Sequence, residues 1–280
     1  MLTPEKSLSI TYVGDCGVDE FVDQKIKLPG GIALNGAVHA RLNFPPKDIV
    51  TVITALGDDG NAEVVKQTLE KFGIKYNIVR VHGDTPVQLI SNTSSGEKEF
   101  LQYKAGVIEG YKLDASQQDQ VAKSGLIMTV LFGQVEKFFD SVVMAKKGNE
   151  GLLAVDFMDL GDWKKSMVLV EKYLPDIDIG FFGLSKVRDG KVIGKIKHLA
   201  RKMNKILIVT LGADGSIAFV GNKSYIQPAF PVKKVVDTTG AGDAFAAAFL
   251  KTFIYEHDIP SALQVGVEYA AKIVSKVGAF

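Results

Sequence analysis

Two aspartates flank a glycine-rich turn in the segment VVDTTGAGDAF, residues 235–245. The residues after Asp243 are rich in Ala, Phe and Leu and predict a helix that starts at this aspartate. Backbone N–H groups at a helix N-terminus have no intrahelical acceptor, and the helix dipole favours negative charge there. Glycine lets such a backbone approach a ligand closely because it has no Cβ. The segment therefore has the features of an anion-binding site with a carboxylate beside it.

This combination suits the transfer of a phosphoryl group to a hydroxyl. Asp243 would take the proton of the attacking alcohol, while the amides of Gly240, Ala241 and Gly242 would hold the moving negative charge. The alternative is structural, because Asp243 would also serve as a helix cap and the glycines as a tight turn. A bare G-x-G-D motif would favour the structural interpretation, but the longer string DTTGAGDAF favours the catalytic one.

Three other kinds of ligand site do not fit the sequence. A P-loop needs Ser or Thr after its Gly-Lys pair, and the pairs at Gly190 and Gly194 are followed by Val and Ile. GAGDAF has Phe245 where a dinucleotide fingerprint has its third glycine, and it comes after most of the expected strands. The histidines are scattered without the spacing of metal ligands, so a zinc site is not supported.

The composition indicates a globular protein of 280 residues, with 46% hydrophobic and 23% charged residues. Its net charge of +1 argues against nucleic acid or a membrane surface as the main partner. Cys16 is the single cysteine, which excludes an intramolecular disulfide and is typical of a reducing compartment. The longest apolar run, residues 126–133, is too short to span a bilayer, and the N-terminus does not resemble a signal peptide. We therefore expect a cytoplasmic protein.

Short apolar runs alternate with amphipathic segments along most of the chain. Helices are expected at 33–44 and 62–73, and a short strand at 233–237. The other expected strands are 8–14, 49–57, 126–133, 151–157, 177–183 and 205–212. Such alternation predicts an α/β fold with a parallel sheet covered on both faces.

Residues 85–106 depart from this alternation and predict two strands around the turn NTSSGE. One interpretation is a hairpin that projects from the main sheet, with or without residues 75–81. The other is an ordinary sheet edge, and the pattern does not choose between them.

The string DTTGAGDAF resembles the C-terminal signature of the PfkB, or ribokinase-like, carbohydrate kinases. The segments GDCGVD (14–19), GGIALNGA (30–37) and VTLGADGS (209–216) are similar to three further family motifs, and they occur in the family's order. The resemblance implies a ribokinase-like three-layer α/β/α fold in one domain, residues 1–280, with a central mostly parallel sheet. It also implies a small β lid at about 85–106 and the ATP-dependent phosphorylation of a sugar hydroxyl.

The resemblance further implies roles for individual residues. Asp243 matches the catalytic base, and Gly240, Ala241 and Gly242 match the anion hole. The positions assigned to the sugar are Asp19, Gly30, Gly31, Asn35, Lys104 and Asp156, and those assigned to the nucleotide are Lys186, Thr210, Gly212 and Gly215. Asp19 is expected where the first strand ends. From the sequence alone, Asn35 is as well explained as a helix-start residue. Asp156 and Asp159 come at the C-terminal end of a buried strand, where they would reach the substrate or the metal and phosphates, or would cap the next helix.

The expected cofactors are ATP, Mg²⁺ and K⁺. Asp237 and Thr239 match positions that help to hold a monovalent cation in many family members. The family's N-x-x-E motif, which orders magnesium and phosphates, is replaced here by Gly183-Leu184-Ser185-Lys186. Lys186 would hold a phosphate as a point charge or would be an ordinary solvated lysine.

The segments FLQYKAGV (100–107), VDFMD (155–159) and KVGAF (276–280) most resemble the fructoselysine 6-kinase subgroup. A fructosamine-type sugar is therefore the expected acceptor. The alternatives are a nucleoside kinase or ribokinase, and a non-catalytic sensor that keeps the fold. The expected partners are the sugar and ATP, without nucleic acid or membrane, and a homodimer through the lid would cover the lid's exposed strand edges.

Overall fold

The structure of the protein, a computed structural model, describes residues 6–92, 98–160 and 163–280. For residues 92, 98 and 163–166 it describes the backbone alone. The described residues form two β-sheets and eight α-helices. Among these helices, none is long and apolar enough to cross a membrane.

The central sheet has nine strands. They are β1 (Ser9–Val13), β4 (Ile49–Leu56), β5 (Lys75–Arg80), β8 (Leu126–Val130), β9 (Leu152–Asp156), β10 (Ile179–Gly183), β11 (Ile206–Thr210), β12 (Ser216–Val220) and β13 (Lys223–Gln227). Their order is β13-β12-β11-β10-β9-β8-β1-β4-β5. All neighbours from β11 to β5 pair in parallel, and only β12 and β13 are antiparallel to their neighbours. The predicted mostly parallel sheet is confirmed.

Helices cover both faces of this sheet. They are α1 (Ile32–Asn43), α2 (Gly60–Lys71), α3 (Ala115–Ala122), α4 (Glu136–Lys146), α5 (Trp163–Tyr173), α6 (Gly190–Met203), α7 (Ala241–Glu256) and α8 (Ile259–Ile273). One apolar core joins α1, α2, α7 and α8 to the sheet, and a second joins α3, α4, α5 and α6 to it. Neighbouring residues of β1 enter different cores, Tyr12 the first and Val13 the second. Because both faces are buried, the strands are continuous apolar runs, and the expected three-layer fold is confirmed.

A second, four-stranded sheet contains the segment expected to form the lid. Its strands are β2 (Gly17–Phe21), β3 (Ile26–Gly30), β6 (Val87–Asn92) and β7 (Lys98–Lys104), in the order β3-β2-β6-β7. β6 and β7 are the strands expected at 85–106, and the turn between them, 93–97, lies outside the described residues. The sequence analysis missed β2 and β3. β2 carries charged residues, and its parallel partner β6 is distant in the chain, with Val18 opposite Val87.

Two expectations about strands are wrong. Residues 75–81 do not belong to the lid, because β5 pairs in parallel with β4 at the edge of the central sheet. Residues 233–237 do not form a strand, although their valines favour one. The amides of Val236 and Asp237 donate to the carbonyl of Val274 after α8 and not to a neighbouring strand.

Candidate active site

Two cavities lie on either side of the N-terminus of α7. Parallel strands place their carboxyl ends at one edge of a sheet, where ligands of open α/β proteins bind. The first cavity, of about 640 Å³, lies between this edge and the small sheet, and Asp15, Asp19 and Asp243 line it. The second, of about 440 Å³, is lined by Thr210 at the end of β11 and by Gly242 of α7. Thr238 lines both cavities, so the turn before α7 lies between them.

Asp243 and Asn35 meet in the first cavity. Asn35 Nδ2 donates to Asp243 Oδ2 over 3.2 Å, which joins the first turns of α1 and α7. Asn35 lies near the start of α1, as a helix-start residue would, but it does not cap this helix, because the cap position is Gly31 and no side chain caps it. Asn35 Oδ1 is buried and has no hydrogen-bond partner within the described part of the chain. The amide therefore keeps a buried acceptor available to a ligand hydroxyl.

The surroundings of Asp243 favour its protonated form. Burial raises the pKa of Asp243 well above its ordinary value, the negative charge of Asp156 adds to this, and the hydrogen bond from Asn35 opposes it. A raised pKa makes the carboxylate a stronger base than an ordinary aspartate.

The glycine-rich turn presents backbone amides beside this carboxylate. α7 begins at Ala241, two residues before the predicted start, and Gly240 is its cap with a φ of 73°. The amide of Ala241 donates to the carbonyl of Thr238 over 3.2 Å. The amides of Gly242 and Asp243 lie in the first turn, where the helix offers them no carbonyl acceptor. They are therefore the amides best suited to hold an anion.

The sugar-assigned positions before α1 lie together, but not as expected. β1 ends at Val13, so Asp19 does not end the first strand and lies instead within β2 of the small sheet. A Cβ on Gly30 would lie 2.4 Å from Asp19 Oδ1, and one on Gly31 would lie 2.6 Å from the carbonyl of Asp15. The paired glycines therefore make room for two aspartates that flank the cavity.

Asp15 is a site residue that the sequence analysis missed. It lines the first cavity with only 4% of its surface exposed. Burial raises the pKa of Asp15 to about 6, nearby backbone amides and Tyr103 oppose this, and the charge of Asp156 adds to it. The motif GDCGVD contains both Asp15 and Asp19. The sequence alone does not show that both aspartates line the cavity, because this depends on the fold.

Asp156 lies at the end of β9, as expected, and contributes negative charge to the site. Its Oδ1 accepts a hydrogen bond from the amide of Met158 over 2.7 Å, within the loop before α5. Burial, and then the charge of Asp159, raise the pKa of Asp156 to about 6. Asp15, Asp156 and Asp243 therefore form a coupled group of buried carboxyls.

Several predicted residues line neither of the two cavities, namely Gly30, Asp156, Asp237 and the two lysines. Lys104 is exposed at the end of β7 and lines a neighbouring cavity of about 410 Å³ instead of the first. Lys186 is exposed after β10 and lines neither the first nor the second cavity. Thr210, Gly212 and Gly215 do line the second cavity together.

Asp237 links the turn before α7 to the end of the chain. Its Oδ1 accepts from the amide of Thr239 and its Oδ2 from that of Gly278, both over 2.9 Å.

In the part of the chain that the structure describes, no three carboxyl, imidazole or thiol groups are placed to hold one metal ion. Mg²⁺ commonly takes one or two protein carboxylates together with phosphate oxygens, so this arrangement is compatible with a metal that arrives with a nucleotide.

The buried carboxyl of Asp15 has a consequence for stability. Because its pKa is raised from 3.8 to about 6 in the folded protein, its stabilising effect is present below pH 4 and is lost as the pH rises through 6. We expect Asp15→Asn to raise the free energy of unfolding at pH 7.5 by about 1–3 kcal/mol and to change it little at pH 4. Urea unfolding at both pH values measures this, with the exposed Asp84→Asn as control. An equal change at both pH values would contradict the assigned cause.

Comparisons with known proteins show which family the chain belongs to. The family described as pfkB family carbohydrate kinase matches residues 22–280. Fructoselysine 6-kinase of Escherichia coli (strain K12) is 29% identical over 97% of this chain and 99% of its own. Fructosamine kinase FrlD of Bacillus subtilis (strain 168) is 28% identical over 98% of this chain and 93% of its own.

Solved structures support the fold. Ribokinase from Thermotoga maritima superposes with a TM-score of 0.76 at 21% identity, covering 97% of this chain and 94% of its own. Arabidopsis thaliana ribokinase complexed with ribose and ATP gives a TM-score of 0.76 at 19% identity, covering 98% and 94%. The chain therefore belongs to the pfkB family of carbohydrate kinases and is an ATP-dependent sugar kinase.

Proposed function

We propose that the acceptor is a fructosamine-type sugar and that it binds in the first cavity, with ATP in the second. The observation that carries this assignment is that Asp243 lines the first cavity and not the second. The similarity to fructoselysine 6-kinase and fructosamine kinase supports the choice of sugar.

In the proposed reaction, a sugar hydroxyl attacks the γ-phosphorus of ATP. Its proton passes to Asp243, the new O–P bond forms, and the bond between the γ-phosphorus and the bridging oxygen breaks to release ADP. Asn35 holds the carboxylate of Asp243 in place, and the amides of Gly242 and Asp243 stabilise the negative charge on the transferred group. Asp19 accepts hydrogen bonds from other hydroxyls of the sugar.

Mg²⁺ and K⁺ are part of this proposal. Asp156 is the carboxylate that we assign to Mg²⁺, which would neutralise charge on the phosphates. K⁺ would lie beside Asp237, whose carboxylate joins the turn at Thr239 to the backbone of Gly278. Titration of each ion in an ADP-release assay tests both assignments.

A panel of acceptors tests the choice of substrate. ADP release should be measured with fructoselysine, fructose, ribose, deoxyribose and adenosine, each at several concentrations. We expect kcat/KM for fructoselysine to exceed that of the others by about tenfold or more, a difference that a few specific polar contacts supply. A higher kcat/KM for ribose or adenosine would overturn the fructosamine assignment and leave the kinase activity in place.

A further inference from the structure

The charged residues that line the first cavity are all acidic. They are Asp15, Asp19, Asp159 and Asp243. The residues described as lining this cavity include no Lys, Arg or His, and the carboxylate of Asp156 adds further negative charge behind Asp243. A cavity with one sign of charge concentrates ligands of the opposite sign. An acceptor that carries a positive charge would therefore be favoured over a neutral one.

Within this group, one carboxyl oxygen of Asp15 is without a hydrogen bond, although backbone amides and Tyr103 lie near this carboxyl group. Asp243 accepts a hydrogen bond from Asn35, and Asp156 accepts one from Met158. Asp15 Oδ1 is fully buried and has no hydrogen-bond partner among residues 6–92, 98–160 and 163–280. A buried acceptor without a partner is costly, so this oxygen favours a ligand that brings a hydrogen-bond donor, in addition to the nearby hydroxyl of Tyr103.

A cationic donor fits this oxygen better than a neutral one. The hydroxyl of a neutral sugar would donate one hydrogen bond to Asp15, but it would leave the negative charge of the cavity uncompensated. A protonated amino group on the acceptor supplies both the hydrogen bond and the opposite charge.

The neighbouring cavity is a weaker candidate for such a cation. It is also lined by acidic residues, including Glu20, Asp59 and Asp84, but it contains Lys104 as well. The carboxylate of Asp59 already accepts hydrogen bonds from Thr85 and Ala62. Glu20 lies 3.5 Å from the ammonium group of Lys27. Asp59 and Glu20 of the neighbouring cavity therefore already have partners within the protein.

We propose that Asp15 binds a cationic amino group carried by the acceptor, and that it thereby selects an amino-substituted sugar over a neutral sugar with the same hydroxyl pattern. This inference rests on the proposed function, since it identifies the residue that would distinguish a fructosamine from fructose. Asp15 is in this role a specificity-determining residue, and the proton transfer stays with Asp243.

The test compares wild type, Asp15→Asn and Asp84→Asn with two acceptors, fructoselysine and fructose. For Asp15→Asn we expect kcat/KM to fall by about tenfold or more with fructoselysine, mainly through KM, and by less than about threefold with fructose. Asp84→Asn, which removes a carboxylate from the neighbouring cavity, should change neither value. An equal fall with both acceptors, or a selective fall in Asp84→Asn, would overturn the proposal.

Calorimetric binding of the same two sugars without ATP separates this inference from the proposed function. The expected result is that Asp15→Asn weakens the binding of fructoselysine by about tenfold or more and that of fructose far less. If wild type binds fructoselysine selectively but phosphorylates neither sugar, the proposed function fails while the role of Asp15 stands. Absence of selective binding in wild type would overturn the role of Asp15. The unfolding measurement at pH 7.5 shows that the variant is folded.

Discussion

Asp243→Asn is expected to lower kcat by about 10²–10⁴-fold, the usual contribution of a general base. The substitution keeps the shape of the side chain and an oxygen that accepts from Asn35, but it removes the group that takes the proton. The affinity for the sugar, measured by calorimetry without ATP, should change by only about threefold or less because the cavity keeps its shape. A kcat within a few-fold of wild type would show that Asp243 is not the base.

The pH dependence of the reaction provides a control for this role. Since burial and the charge of Asp156 raise the pKa of Asp243, kcat/KM should fall as the pH is lowered through that raised value. Asp156→Asn removes one of these causes, so it should move the acidic limb of the pH profile to lower pH. A limb that does not move would assign the titration to another group.

Gly240→Ala is expected to have the second largest effect. Gly240 has a φ of 73°, and a Cβ added there would lie 2.6 Å from the carbonyl oxygen of Ala279. The added methyl group must therefore displace the turn before α7 or the end of the chain. Since a shift of about 1 Å in a catalytic group costs about 10²-fold in rate, we expect kcat/KM to fall by about that factor. The free energy of unfolding should also fall by more than about 1 kcal/mol.

Gly148→Ala is the matched control for this substitution. Gly148 also has a positive φ, 83°, but a Cβ added there would meet nothing within 4 Å. This variant should lose about 1 kcal/mol of stability through backbone strain alone and keep its kcat/KM. If Gly240→Ala matched it in both measurements, the contact with Ala279 would have no influence on the active site.

The sequence by itself determined the features that depend on local pattern. Apolar runs of strand length predicted the parallel sheet, because strands buried on both faces have no polar side. The string DTTGAGDAF identified the turn and helix that position Asp243, since glycine, a small cap and a helix-forming run act within one turn of the chain. The prediction placed the helix start two residues late, as helix ends are weakly marked.

The small sheet was decided by pairing between distant segments. β2 lies beside β6 because Val18 and Val87 meet across the sheet, and neither segment alone indicates the other. Lys104 illustrates a related difficulty. It follows Tyr103, and both residues line the neighbouring cavity, but Tyr103 also lines the first cavity and Lys104 does not. The resemblance of the motif to the family's did not show which of two adjacent cavities the lysine would reach.

Only the tertiary structure brought Asp15, Asp156 and Asp243 together. Asp15 follows β1, Asp156 ends β9, and Asp243 lies in α7, so the charge of the site is assembled from three distant parts of the chain. The sequence shows a nearly balanced total charge of +1, which conceals a cavity whose charged lining is entirely acidic. Local patterns determine where strands and helices form, but the field within a cavity depends on which of their ends the fold places side by side.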